Sequence, residues 1–158
     1  MSRRDMIRMS DNEVADFLAE GFVMTCASIG STGRTHLAPI WYVSDMPTRV
    51  SSWTYGASQK VRNLRSRPTA TIQVESGVAY GELRGVSMEC DVEIIDDSDL
   101  VTSIGMEVTG RFPNVLPIDP VEDDRTEFVA MQVPKRVGLR FYPTRIVSWD
   151  HRKLQGRF

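Results

Sequence analysis

Apolar residues first recur at helical spacing in SDNEVADFLAEG, Ser10 to Gly21, where Val14, Phe17 and Leu18 fall on one face. Ser10, with Glu13 three residues on, forms a capping box that starts this helix, and Gly21 stops it. The pattern then shifts to apolar and β-branched runs. FVMTCASIG (22–30) and THLAPIWYVS (35–44), separated by the glycine-rich GSTGR, read as paired strands, and DMPT is the next turn. A third strand, RVSSWTY (49–55), leads through Gly56 into a short helix from Ser58 to about Arg67, which Pro68 closes. Strands resume at TATIQVE (69–75), turn at SG, and continue through a long run from Val78 to Asp96, with Gly81 and Gly85 as the expected bend points.

A second amphipathic helix, with Leu100, Val101 and Ile104 apolar, starts after Asp96 or Asp97 and ends near Gly110. RFPNVLPIDPVEDDRT, Arg111 to Thr126, carries three prolines and an acidic cluster and is expected to be an ordered loop. EFVAMQ then gives one or two helical turns. KRVGLRFYPTRIVSWD, Lys135 to Asp150, divides at Pro143 into two β-runs ahead of the tail HRKLQGRF. Six or seven strands in meandering pairs, helices at the margins and no βαβ alternation predict a mainly β fold, a small antiparallel barrel in one domain spanning residues 1–158.

Composition narrows the function. A chain of 158 residues holds one hydrophobic core. No apolar run approaches the roughly 18 residues of a membrane-spanning helix. The start, MSRRDMIRMSDNEV, has basic residues with no apolar stretch after them, unlike a secretory signal, so a cytoplasmic location with no membrane partner is expected. A net charge of -2 argues against a nucleic-acid partner, which calls for a broad basic surface. Cys26 and Cys90 fit neither a disulfide framework nor a metal spacing and are expected as small buried side chains in strands. There is no GxSxG, no HExxH and no Ser-His-Asp order that points to a nucleophile.

Charge is uneven along the chain. Between Asp45 and Glu75 there is no acid, while Arg49, Lys60, Arg62, Arg65 and Arg67 lie in that interval. Lys60 falls in the first turn of the expected helix, where a cation opposes the positive end of the macrodipole. Two readings stand. The helix is a solvated basic face, or an anion reverses the sign, with free helix amides, the Ser58 and Thr54 hydroxyls and the Lys60 ammonium as a phosphate cradle. Val61 and Leu64, three apart, would pin the other face to the barrel.

These residues also carry a resemblance. TYGASQKVRNLRSRPTATIQV is similar to the cofactor-phosphate segment of the FMN-binding split barrels related to pyridoxamine 5'-phosphate oxidase. More narrowly, SQKVRNLRSRP, GELRGVSME, KRVGLRF and SWDHRKL resemble the B branch of the flavin/deazaflavin oxidoreductases of actinobacteria, many of which bind coenzyme F420. The similarity runs from about Ser10 to Leu154. It implies phosphate contacts from Thr54 and from the Ser-x-Lys element Ser58, Gln59 and Lys60, with Arg62, Asn63 and Arg65 on the helix beside them. HLAPIWY matches the strand that carries the tricyclic ring, which makes Pro39, Ile40 and Trp41 ring contacts. Family members are homodimers whose partner chain completes the pocket, and the aromatic stretch Tyr142 to Trp149 is a candidate for that contact. Two features depart from the family pattern: Cys90 stands where many relatives have glycine, and FPNVLPIDPVEDD looks individual.

The resemblance implies hydride transfer between reduced F420 and a small unsaturated or conjugated substrate, with no side-chain nucleophile. The phospholactyl and glutamate tail of F420 would use more cations than the single phosphate of FMN. The alternatives are an FMN-dependent oxidoreductase or oxidase of the same fold, and a non-catalytic protein that binds the cofactor or a tetrapyrrole. Proton-donor candidates are few: His36, His151, Tyr55 and Tyr80. His151 is expected to pair with Asp150 or to pack at the dimer contact.

Overall fold

The computed structural model describes residues 2–111 and 122–156. Seven strands, β1 (Val23–Ile29), β2 (Thr35–Trp41), β3 (Val43–Asp45), β4 (Arg49–Tyr55), β5 (Thr69–Ser76), β6 (Arg84–Ile95) and β7 (Arg136–Asp150), form one antiparallel sheet in the order β2-β1-β5-β6-β7-β4-β3. β2 and β3 are the outermost strands, yet only Tyr42 separates them in the chain. One residue spans about 3.8 Å, so the sheet has to curl until its two edges meet. The result is a split β-barrel with flanking helices. Tyr42 sits fully buried at the junction, and its phenol donates to the Leu18 carbonyl at 2.7 Å.

Among the described residues five helices surround the barrel: α1 (Arg3–Ile7), α2 (Asp11–Glu20), α3 (Gln59–Ser66), α4 (Ser98–Gly110) and α5 (Glu122–Gln132). The capping box of α2 forms as expected, with Ser10 N–H donating to Glu13 Oε2 at 2.6 Å and Glu13 N–H to Ser10 Oγ at 3.3 Å. Its buried face is Val14, Phe17 and Leu18. Val61 and Leu64 of α3 are fully buried in the same core, with Met24, Cys26, Ile72 and Met88 from the strands. A second, smaller cluster joins Trp53 and Ile95 to Val101, Ile104 and Val108 of α4 and Val129 of α5. Gly105 permits that approach, because a Cβ there would stand 2.8 Å from the Trp53 ring.

The structure corrects several expectations. The run 35–44 is not one strand; the chain changes edges at Tyr42. The long run from Val78 begins with a 3-10 turn, Tyr80–Glu82, which contains Gly81, and its strand starts only at Arg84. Gly81 thus lies outside β6, and a Cβ at Gly85 would collide with the Trp149 ring, so that glycine serves close packing. The irregularity lies at Glu89/Cys90, where Glu89 pairs with Arg145 and Cys90 with Pro143, leaving Thr144 as the extra residue. Pro143 therefore sits beside a bulge in one continuous β7 rather than dividing two strands. The loop expected over Arg111–Thr126 already turns helical at Glu122, and residues 112–121 lie outside the described residues. The short capped helix α1 was not anticipated. Cys26 and Cys90 are free and buried in β1 and β6, as expected, and burial pushes their thiols up to about 11 and about 12. No described helix is long and apolar enough to cross a membrane.

Candidate functional site

The split between the sheet edges positions the site. β3 pairs with β4 only over Arg49–Ser51, so Ser52 to Tyr55 have no strand beyond them, and β2 is an edge along its whole length. Ser52 Oγ closes the near end of the gap by donating to the Trp41 carbonyl at 2.6 Å. Beyond that bond the edges diverge into a cleft of about 470 Å³. Pro39, Ile40 and Trp41 of β2 form one wall, Trp53 and Thr54 of β4 the other, and Lys60 and Arg136 stand in the lining. Thr109 of α4 and Phe128 of α5 also line it. Two facing strand edges offer backbone donors and acceptors that no ladder consumes, the groups needed to read the rim of a flat polar ring.

The charged part of the lining is unusual for its burial. Lys60 and Arg136 are both cations, no acidic side chain lines the cleft, and no ion pair to either is present among the described residues. Burial holds the Lys60 ammonium below its ordinary value, the Cys26 thiol offsets that slightly and the nearby Arg136 adds to it. Burial likewise lowers Arg136. Its guanidinium lies over the Trp53 ring at 4.5 Å and the Tyr55 ring at 4.3 Å, and Nη2 donates to Gln132 Oε1 at 3.3 Å. Arg136 Nε and Ser58 Oγ are buried with no hydrogen-bond partner among the described residues. Ser58 stands at the N-cap of α3 without making a side-chain cap, so the first amides of that helix lack a side-chain acceptor. Two half-buried cations, an unpartnered hydroxyl and an uncapped helix start supply the donors that an anion site would need.

The residues singled out from sequence separate into three groups. Pro39, Ile40, Trp41, Thr54 and Lys60 come together in the cleft, with Ser58 at the head of α3. Gln59, Arg62 and Asn63 face a second cleft of about 430 Å³, between α3 and the β1–β2 turn at Gly30, Ser31 and Gly33. There Arg62 Nη2 donates to Gln59 Oε1 at 3.2 Å, Gln59 Nε2 to Asn63 Oδ1 at 2.8 Å, and buried Asn63 Nδ2 to Ser28 Oγ at 3.1 Å. Asn63 thus ties α3 to β1. Arg65 points elsewhere, held by Asp96 at 2.6 and 3.2 Å.

Neither histidine lines the cleft. His36 lies on β2 opposite Ser28, with Nδ1 buried and without a hydrogen-bond partner among the described residues. His151 does not pair with Asp150: its Nδ1 lies 2.9 Å from the Tyr80 carbonyl, which can only accept, and the Tyr80 ring meets it edge-on at 4.6 Å. Asp150 is taken by Arg152 instead, at 2.6 Å. Among the described residues no three His, Cys, Asp or Glu side chains gather to hold a metal.

Arg136 was missed as a site residue, although its signal was present. From Phe128 to Trp149 the chain has no acid, the same imbalance that drew attention to α3. What places Arg136 in the cleft is β-register, which sets it opposite Tyr55 and Val137 opposite Thr54.

The family profile described as pyridoxamine 5'-phosphate oxidase matches residues 10–149. Among solved structures, a conserved hypothetical protein from Mycobacterium tuberculosis is 36% identical, with a TM-score of 0.85 over 98% of this chain and 93% of that one. An F420 reductase is 18% identical, with a TM-score of 0.62 over 83% of this chain and 93% of that one. HutZ, the heme storage protein from Vibrio cholerae, is 15% identical, with a TM-score of 0.65 over 87% and 94%. The latter two likenesses concern the fold alone. No curated protein matches.

Proposed function

The chain belongs to the pyridoxamine 5'-phosphate oxidase family, and from that premise we propose that it is a coenzyme F420-dependent oxidoreductase acting on a small unsaturated or conjugated organic substrate. One observation carries this reading: the cleft between the strand edges has apolar walls at Pro39 to Trp41 and Trp53, and a cationic end at Lys60 and Arg136 with no acid among the described residues. The unpartnered Ser58 hydroxyl fits a phosphoryl oxygen. Lys60, Thr54 and the start of α3 would hold the phosphate, and the edges of β2 and β4 would orient the ring. Thr109 and Phe128 screen the cleft from water on the helical side. When bound, the deazaflavin supplies two-electron hydride transfer.

FMN is the alternative cofactor. The longer tail is favoured by Arg62 and Arg67, of α3 and its C-terminal cap, which line the second cleft, where no acidic residue among the described residues lines the wall. Arg65 no longer counts towards that argument, since Asp96 occupies it. A heme-binding role is disfavoured because neither histidine lines the cleft.

A homodimer belongs to the same proposal. Across the sheet the row Pro39, Thr25, Gln73, Ser87 and Val147 carries no charge, and Val23 and Leu37 beside it are 46% and 65% exposed. Pro39 is common to this row and to the cleft, so a second copy seated there would close the cleft's open side. Calorimetric titration of the purified protein with F420 and with FMN, side by side, tests the cofactor: F420 binding tighter than FMN is expected, and binding of neither defeats the proposal. Sedimentation should show a dimer; a monomer with full cofactor affinity would remove the partner's role.

A further inference from the structure

Arg136 is not explained by the fold. A guanidinium carries five N–H donors, and one acceptor, Gln132 Oε1, meets them among the described residues, while Nε is buried without a partner. A cation drawn half out of water is normally matched by an acid, because desolvation disfavours an unpaired charge. Here the near charge is another cation, Lys60. The Trp53 and Tyr55 rings hold the guanidinium plane without consuming its in-plane donors, which leaves a fork preset for a two-oxygen anion. The two cations come from different elements, α3 and the start of β7, so helix or strand design on either one does not require the other.

We infer that Arg136 is the second anion-binding group of the cleft. With Lys60 it selects ligands that bring two negative charges to this end: a phosphomonoester dianion, or a phosphodiester with a neighbouring carboxylate. The inference rests on the cofactor reading above and adds to it a charge requirement and the residue that enforces it. An anion placed between the two cations removes their mutual repulsion and satisfies the stranded donors together, so the energy that burial withholds from the free protein returns on binding.

The test compares tailed and tail-less ligands on Arg136→Gln and Arg136→Lys. FMN and F420 are the tailed pair, separating the monoester from the diester with carboxylates; riboflavin and the deazaflavin ring lacking its phosphoryl tail are the tail-less pair. Arg136→Gln should weaken the tailed ligands by about 10- to 100-fold and the tail-less ones by less than about twofold. Arg136→Lys, which keeps charge but not the fork, should show an intermediate loss confined to the tailed pair, and it carries the test should the glutamine variant not fold. Equal losses for both pairs, or no loss for either, would make Arg136 a structural clamp and overturn this inference while leaving the cofactor reading intact. A wild-type protein that binds none of the four ligands overturns both.

Discussion

The two ends of strand β7 treat charge in opposite ways. At its last residue, Asp150 is 5% exposed, and its carboxylate accepts from Arg152 N at 3.0 Å, Arg152 Nε at 2.9 Å and Arg152 Nη2 at 2.6 Å. Those bonds, with further help from Arg84, hold Asp150 below the usual carboxylate range. At its first residue, Arg136 shares the barrel end with Lys60, both sunk into the cleft lining, and neither meets an acid among the described residues. Pairing at one end serves the fold. The cations at the other have no such partner among the described residues, and that contrast is what the proposed anion site rests on.

Loosening α3 should have the largest effect. Leu64 is fully buried on the inner face of α3, and Leu64→Ala should lower stability by about 2–5 kcal/mol in chemical denaturation, taking cofactor affinity down with it as α3 loosens. Lys60→Ala separates the two properties: affinity should fall by about 1.5–3 kcal/mol in calorimetric titration, while the melting temperature stays level or rises, because Arg136 loses a like-charged neighbour. Asp150→Asn should do the reverse, costing about 1–2 kcal/mol of stability with cofactor affinity unchanged.

The sign of the pH dependence follows from the same carboxylate. Asp150 is depressed in the folded state, so its contribution is present in full above the ordinary value of 3.8 and is lost as pH falls through the lower folded value. Urea midpoints measured down the acid range should therefore fall less steeply for Asp150→Asn than for the wild type. The smallest effect belongs to Arg65→Ala. Its partner Asp96 is surface-exposed, so stability should change by no more than about 1 kcal/mol and affinity by less than about twofold. A large affinity loss there would return Arg65 to the cofactor site.

What the sequence made legible tracks the range of the interactions involved. The capping box of α2, the bounds of β4 at Arg49–Tyr55 and the buried pair Val61 and Leu64 are local patterns, and each was readable from spacing. The passage from β2 to β3 was not, because Tyr42 continues an apolar run and nothing local marks a change of sheet edge. Pro143 misled for a related reason: a bulge in its own strand, at Thr144, absorbs it, and bulges depend on register. At the site, Lys60 stood out through an acid-free stretch of chain. Arg136 lay in an equally acid-free stretch, but only cross-strand pairing with Tyr55 brings it to the cleft. The capture of Arg65 by Asp96, 31 residues away, was equally invisible to spacing.

A crystal structure of the protein with F420 bound tests the central claim most directly. The account predicts the phosphoryl group between Lys60 Nζ and the Arg136 guanidinium, within ~4 Å of both, with the ring along Pro39 to Trp41. A phosphoryl group seated elsewhere, with Lys60 and Arg136 still lacking an anionic partner, would contradict it.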